Sequence, residues 1–139
     1  MTEVMEKSIL HLLHRATQIG SDRFARELGD TGCTPRQLIV LGAIAVKQGA
    51  SQTQLVGMTG VDRSTLADIV RRMQRRGLIS RRRTKADART YAITLTTDGR
   101  QMLDKGQPVL ARIEREMLAS VPPKRRADLV DLLEMLAPA

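Results

Sequence analysis

The chain has 139 residues, a net charge of +8 and a composition that is 42% hydrophobic. One Phe, one Tyr and no Trp exclude an aromatic core, and an aliphatic core favours helices over sheets. No apolar run reaches the roughly 18 residues of a membrane span, and acidic residues stand near the start, where a signal peptide would be basic. We therefore expect one cytoplasmic domain over residues 1–139, with no membrane partner.

The first predicted element is a long amphipathic helix over residues 3–28, in which apolar side chains recur in steps of three and four. The sequence Gly-Asp-Thr-Gly-Cys ends it. Thr34 followed by Pro35 predicts an N-cap and the first turn of a second helix, which extends to about Lys47. This second helix is apolar nearly all round, so we expect it at the centre of the core.

Two short helices come next. Ser51 and Gln54 have the spacing of a capping box, and the helix that they begin ends at Gly60. Asp62 can cap a further helix over residues 63–76, which is closed by a glycine in the usual C-terminal position. Two short helices joined by a tight glycine-containing turn are typical of a helix-turn-helix.

The second of these short helices has two distinct faces at about 100° per residue. Its apolar face, which we expect in the core, consists of Leu66, Ile69, Val70 and Met73. The opposite face has short polar side chains at its N-terminal end and guanidinium groups farther along. A helix that enters the DNA major groove needs this order, because its N-terminal residues come closest to the base edges and long cations reach phosphates or guanine.

A two-stranded hairpin is predicted after this helix. Residues 78–80 begin an extended segment that continues into Arg81–Arg83, and residues 90–95 alternate with β-favouring side chains. The tip falls at about Lys85–Arg89. Between Asp62 and Arg89 there are ten cations and three anions, a net charge of +7 that indicates a polyanionic partner rather than an ordinary solvated surface.

The C-terminal part of the chain predicts two more helices. Residues 96–98 cap a long helix, residues 121–123 end it, and apolar residues from Leu129 to Leu136 indicate a final amphipathic helix. Long helices at both ends, residues 3–28 and 97–137, are suited to a dimer interface. The predicted fold is mainly α: a winged helix-turn-helix over residues 34–96, with three helices and a β-hairpin wing, and a dimerisation lobe formed by the terminal helices.

This arrangement resembles the MarR family of bacterial transcription regulators. The residues that carry the resemblance are Thr34–Gln37, Ser64–Ile79, Asp87-Ala88-Arg89 and Leu95–Gly99, and its most specific part is the Asp-x-Arg followed six residues later by Leu-Thr. The resemblance implies a homodimer on a palindromic duplex operator, most simply as a repressor. Each recognition helix would enter a major groove and each wing an adjacent minor groove.

The resemblance also implies which residues bind DNA. Ser64, Thr65 and Asp68 would face bases, and Arg89, oriented by Asp87, would act at the minor groove, although these two could also form a salt bridge that only holds a surface turn. The full predicted set is Ser51, Gln52, Thr53, Arg63, Ser64, Thr65, Asp68, Arg71, Arg72, Arg75, Arg83, Lys85, Asp87 and Arg89. Ser51 to Thr53 would approach phosphates at a helix N-terminus.

Family members often release DNA when they bind a small molecule, frequently an aromatic or anionic one. Cationic residues on the first helix could pair with such an effector or simply form its solvent face; they are His11, His14, Arg15 and Arg23. Any pocket would be mainly aliphatic, because the chain has so few aromatic residues.

Three other functions stay open as alternatives. The lone Cys33 could serve a redox-responsive regulator or be structural, and a non-specific nucleic-acid-binding protein would also need the basic segment. An enzyme is not expected, since the sequence has no nucleophile paired with a base, no phosphate loop and no metal cluster. Two histidines without a nearby carboxylate or cysteine group make a poor metal site, so no metal or cofactor is predicted.

Overall fold

The computed structural model describes residues 1–84 and 90–138. Its helices are α1 (Glu3–Glu6), α2 (Ile9–Leu28), α3 (Pro35–Val46), α4 (Gln52–Thr59), α5 (Arg63–Arg75), α6 (Thr97–Leu118) and α7 (Arg126–Leu136). Strands β1 (Ile79–Arg83) and β2 (Tyr91–Leu95) pair antiparallel, with Ile79 opposite Leu95. Short 3-10 helices occupy Gly29–Thr31 and Pro123–Arg125. The predicted mainly α winged helix-turn-helix is confirmed.

The N-terminal helix begins later than predicted. Residues 3–6 form only the single turn of α1, and the helical conformation is interrupted at Lys7. Ser8 then caps α2 by accepting a hydrogen bond from the backbone N–H of His11 at 3.5 Å. The prediction of one continuous helix from residue 3 was wrong because the apolar spacing continues across a serine that is itself a favoured N-cap.

The core lies around α3, which packs against α6, α4 and β2, and it extends to α5, which packs against α4 and β1. Its fully buried large side chains are Phe24, Val40, Leu41, Ile44, Leu55, Leu66, Val70, Met73, Ile93 and Ile113. The predicted inner face of α5 is buried in full. Each such aliphatic side chain contributes roughly 1.5–3 kcal/mol on burial, so α5 cannot rotate without a large loss and its polar face is held outward.

Side-chain caps stabilise the N-terminal ends of α3, α4 and α5. Thr34 and Ser51 each form a capping box with a glutamine three residues later, and Asp62 caps α5. Between α4 and α5 the chain turns at Gly60, whose φ of +70° is a left-handed conformation that glycine adopts without a Cβ penalty. The predicted caps are therefore confirmed.

Backbone hydrogen bonds tie the wing to the start of α4. The N–H of Ile93 donates to the carbonyl of Ala50 at 3.0 Å, and the N–H of Gly49 donates to the carbonyl of Ile93 at 2.8 Å. The base of the wing also meets α6, because the N–H of Thr96 donates to the carbonyl of Leu78 at 3.1 Å. The orientation of the hairpin relative to the helix-turn-helix follows from these contacts.

The two ends of the chain form an apolar groove between α2 and α7. It has a volume of about 580 Å³ and is lined by Ile9, Leu12, Leu13, Leu129, Leu132, Leu133, Met135 and Leu136. Every described residue of α7 keeps part of its surface exposed. Within the part of the chain that the structure describes, no helix has the length and apolar character needed to cross a membrane.

Candidate nucleic-acid interface

The outward face of α5 presents the side chains that the sequence predicted there. Arg63 and Ser64 are exposed at its N-terminal end, Thr65 and Asp68 are half-buried, and the exposed arginines follow at Arg71, Arg72 and Arg75. With the apolar side of α5 in the core, this face is available to a ligand as large as a duplex. The predicted order, polar residues first and guanidinium groups later, is retained in three dimensions.

Asp62 organises the first turn of α5. Its Oδ1 accepts hydrogen bonds from the backbone N–H of Thr65 and from the Ser64 hydroxyl, both at 2.9 Å, while its Oδ2 accepts one from the Thr65 hydroxyl at 2.7 Å. These bonds, the Thr65 backbone N–H first among them, lower the pKa of Asp62 to about 2. Asp62 is therefore a carboxylate at neutral pH, and it controls two of the predicted base-facing residues.

Asp68 holds two of the arginines on the same helix. The Nε of Arg72 donates to its Oδ2 at 2.9 Å, and Nη2 of Arg71 lies 3.6 Å from its Oδ1. Exposed pairs of this kind add little to stability, but they restrict where long side chains point. The carboxylate of Asp68 is thus engaged with guanidinium groups in the free protein.

A second basic surface lies at the C-terminal end of α5. Arg72 and Arg75 line a concavity of about 240 Å³ together with Arg76, Gly32 and Gln37. Arg76 was not among the predicted interface residues. Its sequence signal was its place beside Arg75, and only the tertiary structure brings it against the connection between α2 and α3.

The N-termini of α4 and α5 and the wing together enclose a polar concavity of about 290 Å³. Its lining residues are Ser51, Gln52, Thr53, Arg63, Thr90 and Tyr91. Arg63 reaches across to α4, where its Nη1 donates to the Thr53 hydroxyl at 3.4 Å. A helix N-terminus carries partial positive charge and free backbone N–H groups, so together with a guanidinium it suits an anion such as a phosphate.

Tyr91 organises the arginines of the wing. The Arg81 guanidinium lies 4.6 Å from the centre of its ring and that of Arg83 lies 5.8 Å away, while Nε of Arg83 donates to its hydroxyl at 3.2 Å. This hydrogen bond and the positive charge of Arg83 lower the pKa of Tyr91. Arg82 pairs with Ala92, so it lies on the other face of the hairpin.

Sequence reasoning missed Tyr91 as a functional residue. The available signal was the pairing of the hairpin, which places the only tyrosine of the chain directly opposite Arg83. The predicted wing-tip residues Lys85, Asp87 and Arg89 lie outside the described residues, so their roles stay predictions.

The predicted effector residues all lie on α2. His11 is half-buried, and His14 and Arg15 are exposed. Nη1 of Arg23 lies 4.0 Å from Oε2 of Glu116 on α6. The fold has two mainly apolar cavities among its long helices: the groove between α2 and α7, and a cleft of about 450 Å³ between α3 and α6 that Leu38, Ile39, Gly42, Leu103, Gln107, Leu110, Ala111 and Glu114 line. None of the four predicted effector residues lines either cavity.

Cys33 is buried, and burial raises the pKa of its thiol despite the nearby charge of Arg76. The protonated thiol is the less reactive form, so this environment favours a structural cysteine over a redox sensor. Among the described residues, no group of three or more His, Cys, Asp and Glu side chains is arranged to hold a metal ion.

A sequence model described as MarR family matches residues 31–90, which include α3, the helix-turn-helix and β1 but end before β2. The putative transcriptional regulatory protein for the hcr operon of Thauera aromatica is 33% identical over 124 residues, which cover 88% of this chain and 75% of that relative. The chain belongs to the MarR family. It is therefore a transcriptional regulator and not an enzyme.

Two further MarR-type proteins extend the likeness. The transcriptional repressor NicR of Pseudomonas putida is 29% identical over 126 residues, which cover 91% of this chain and 80% of NicR. The solved structure of BpsR from Bordetella bronchiseptica, whose DNA binding is regulated by 6-hydroxynicotinic acid, is 27% identical and superposes with a TM-score of 0.89 over 100% of this chain and 99% of that one. The shared architecture thus includes the terminal helices as well as the winged helix-turn-helix.

Proposed function

We propose that this MarR-family regulator is a homodimeric repressor that acts in the cytoplasm, binds a palindromic operator and leaves it when a small aromatic or anionic molecule binds. The observation that carries the proposal is the outward face of α5, which is held in place by four buried residues on its other side. The likeness to NicR, a repressor, supports repression. The likeness to BpsR, whose DNA binding is regulated by 6-hydroxynicotinic acid, supports control by a small molecule.

The proposed DNA-binding mode uses three surfaces. The first turn of α5 reads base edges in the major groove, and the concavity lined by Ser51, Thr53 and Arg63 takes a backbone phosphate. The wing, with Arg83 and the predicted tip residues Lys85, Asp87 and Arg89, reaches the minor groove. Because so many of these contacts are cationic, operator binding should weaken steeply as the salt concentration rises.

A homodimer accounts for the groove between α2 and α7. Exposed leucines on both helices line it, with Leu132 exposed by 56% and Leu136 by 61%. A second copy can cover these residues and bury both grooves at once, because a two-fold interface uses the same surface on both chains. The two α5 helices would then face half-sites roughly one helical turn apart, within a palindrome of about 16 to 20 base pairs.

The effector is proposed to bind among the long helices. The apolar cleft between α3 and α6 suits a small ring. His11, His14, Arg15 and Arg23 on α2 stay the predicted partners of its carboxylate, although none of them lines this cleft in a single chain. Occupation of a cleft between the long helices and α3 would change the separation of the two α5 helices. That separation has to match the DNA repeat, so a small change is sufficient for release.

The proposal is tested by selection from a random duplex library, followed by gel-shift titration against excess unrelated DNA and by sedimentation. The expected result is an enriched palindrome that unrelated DNA fails to displace, together with a dimer in solution. A protein that binds every duplex equally would instead be a non-specific nucleic-acid-binding protein, and the proposal would fail. A thermal-shift screen of small aromatic acids, repeated on the operator complex, then identifies the molecule that releases DNA.

A further inference from the structure

The first turn of α5 contains two hydroxyl groups whose hydrogen-bond direction is already decided. Ser64 Oγ lies 2.9 Å from Oδ1 of Asp62, and Thr65 Oγ1 lies 2.7 Å from Oδ2. A carboxylate only accepts hydrogen bonds, so both hydroxyls must donate to it. Each hydroxyl has a single proton, which leaves only lone pairs to offer to any further partner.

The carboxylate itself is securely ionised and fixed. It also accepts the backbone N–H of Thr65 at 2.9 Å as the cap of α5, and these bonds lower its pKa to about 2. A protonated Asp62 could donate a hydrogen bond to one of the hydroxyls and so reverse its direction. With this pKa the carboxyl group is ionised near neutral pH, so the reversed arrangement is rare. Serine and threonine are usually ambiguous readers because their hydroxyls rotate, but the ionised carboxylate beside these two favours the orientation in which each hydroxyl donates to it.

The base pairs offer few donors to such acceptors. In the major groove only adenine N6 and cytosine N4 donate, whereas guanine presents N7 and O6 and thymine presents O4, all of which accept. We infer that Asp62 is a positioning residue that restricts Ser64 and Thr65 to the acceptor role, so that the first turn of α5 selects the exocyclic amino group of adenine or cytosine. This inference rests on the proposed binding of a specific operator through α5.

The inference also divides the recognition helix by chemistry. Its N-terminal turn offers acceptors, while Arg71 and Arg75 farther along offer donors that match guanine or phosphate oxygens. Guanine or thymine opposite Ser64 or Thr65 would bring two acceptors together with no proton between them. Such a mismatch should cost roughly 5- to 100-fold in affinity at each contacted position.

The first test uses the unaltered protein and chemically edited operators. After selection of the operator, each adenine in a half-site is replaced in turn by purine, which lacks the N6 amino group. Each cytosine is replaced by the 2-pyrimidinone base, which lacks the N4 amino group. The protein should bind operators edited at one or two positions of each half-site roughly 5- to 100-fold more weakly than the unedited operator. Its affinity for operators edited elsewhere should change little.

The second test changes the carboxylate without removing the cap. Asp62→Asn keeps a favoured N-cap residue, so the variant should fold. Its carbonyl can serve the Thr65 N–H, while its amide group now donates to a hydroxyl and turns that proton toward the groove. Repeating the library selection should therefore show a shift from adenine or cytosine to guanine or thymine at one position of each half-site. The charge-matched control is Asp104→Asn, because Asp104 is an exposed residue of α6 outside the predicted DNA-binding set. This variant should keep the original base preferences.

The outcomes separate the inference from the function that it builds on. A protein that enriches no sequence at all contradicts the proposed function, and the inference with it. An operator that tolerates the loss of every major-groove amino group leaves the proposed function standing and overturns the inference. So does an Asp62→Asn variant that loses affinity equally for all duplexes and keeps the original base preferences, because Asp62 would then only cap the helix.

Discussion

Arg83 donates a hydrogen bond from its Nε to the hydroxyl of Tyr91 at 3.2 Å, directly across the two strands of the wing. Arg81 lies over the same ring at 4.6 Å from its centre. One aromatic side chain thus holds two cations on one face of the hairpin, beside the concavity at the start of α4. The wing is therefore ordered at the outer end of its two strands by side-chain contacts as well as by its backbone.

Replacing Tyr91 should weaken operator binding through these arginines. Tyr91→Ala removes the two cation–π contacts and the hydrogen bond to Arg83, and we expect a loss of roughly five-fold in affinity, because each exposed cation–π pair is a modest interaction. Tyr91→Phe keeps the stacked ring and loses only the hydrogen bond, so its affinity should fall between those of the wild type and Tyr91→Ala. Gel-shift titrations measure both; equal affinity for all three proteins would contradict an organising role for Tyr91.

Arg89 at the predicted wing tip should contribute to binding in the minor groove. Arg89→Ala is expected to lower operator affinity by roughly 5- to 100-fold while leaving the unfolding transition unchanged. Lys105→Ala provides the charge-matched control, since Lys105 is an exposed residue of α6 outside the predicted DNA-binding set. Unaltered affinity of Arg89→Ala, or an equal loss in both variants, would reject the wing assignment.

The groove between α2 and α7 predicts a variant that cannot dimerise. Leu132→Asp places a charge among its apolar side chains, so the sedimenting mass should fall from twice the chain mass of 15.4 kDa to a single copy. Operator affinity should fall with it. Val46→Asp is the control, because Val46 is 83% exposed and lies at the end of α3 outside the groove. If Leu132→Asp remains dimeric, the interface lies elsewhere.

Gly99 should tolerate no side chain. A Cβ built at this position would lie 1.9 Å from the carbonyl oxygen of Leu78, which belongs to the backbone and cannot rotate away. Gly99→Ala should lower the free energy of unfolding by roughly 1–3 kcal/mol in urea denaturation. Gly57→Ala, where no atom lies within 4 Å, should instead stabilise α4 by roughly 0.5–1 kcal/mol. The reverse order of stabilities would show that α6 does not approach the wing this closely.

Protonation of Asp62 should account for part of the acid sensitivity of the fold. Its folded-state pKa of about 2 lies below the unfolded value of 3.8, so its stabilising contribution is present above about pH 4 and is lost as the pH falls toward 2. The free energy of unfolding of Asp62→Asn should therefore decline less than that of the wild type over this interval. Parallel curves for the two proteins in acid denaturation would mean that Asp62 is not stabilised by its hydrogen bonds.

Local signals in the sequence determined most of the helix-turn-helix. Thr34, Ser51 and Asp62 predict helix starts because an N-cap bonds to a residue only three positions away. The two faces of α5 follow from the helical repeat for the same reason. A pattern of this kind does not locate breaks reliably, and the interruption at Lys7 went unrecognised because its apolar spacing resembles that of a continuous helix.

The sequence by itself determined the family, the caps and the outward face of the recognition helix, all of which depend on neighbours along the chain. Only the tertiary structure decided that Tyr91 gathers Arg81 and Arg83, that Arg76 meets Gly32, and that the apolar groove between α2 and α7 stays uncovered in a single chain. The physical reason is the range of the interactions. Caps and helical faces form between residues a few positions apart, whereas these contacts depend on strand pairing and on the packing of helices that are distant in sequence.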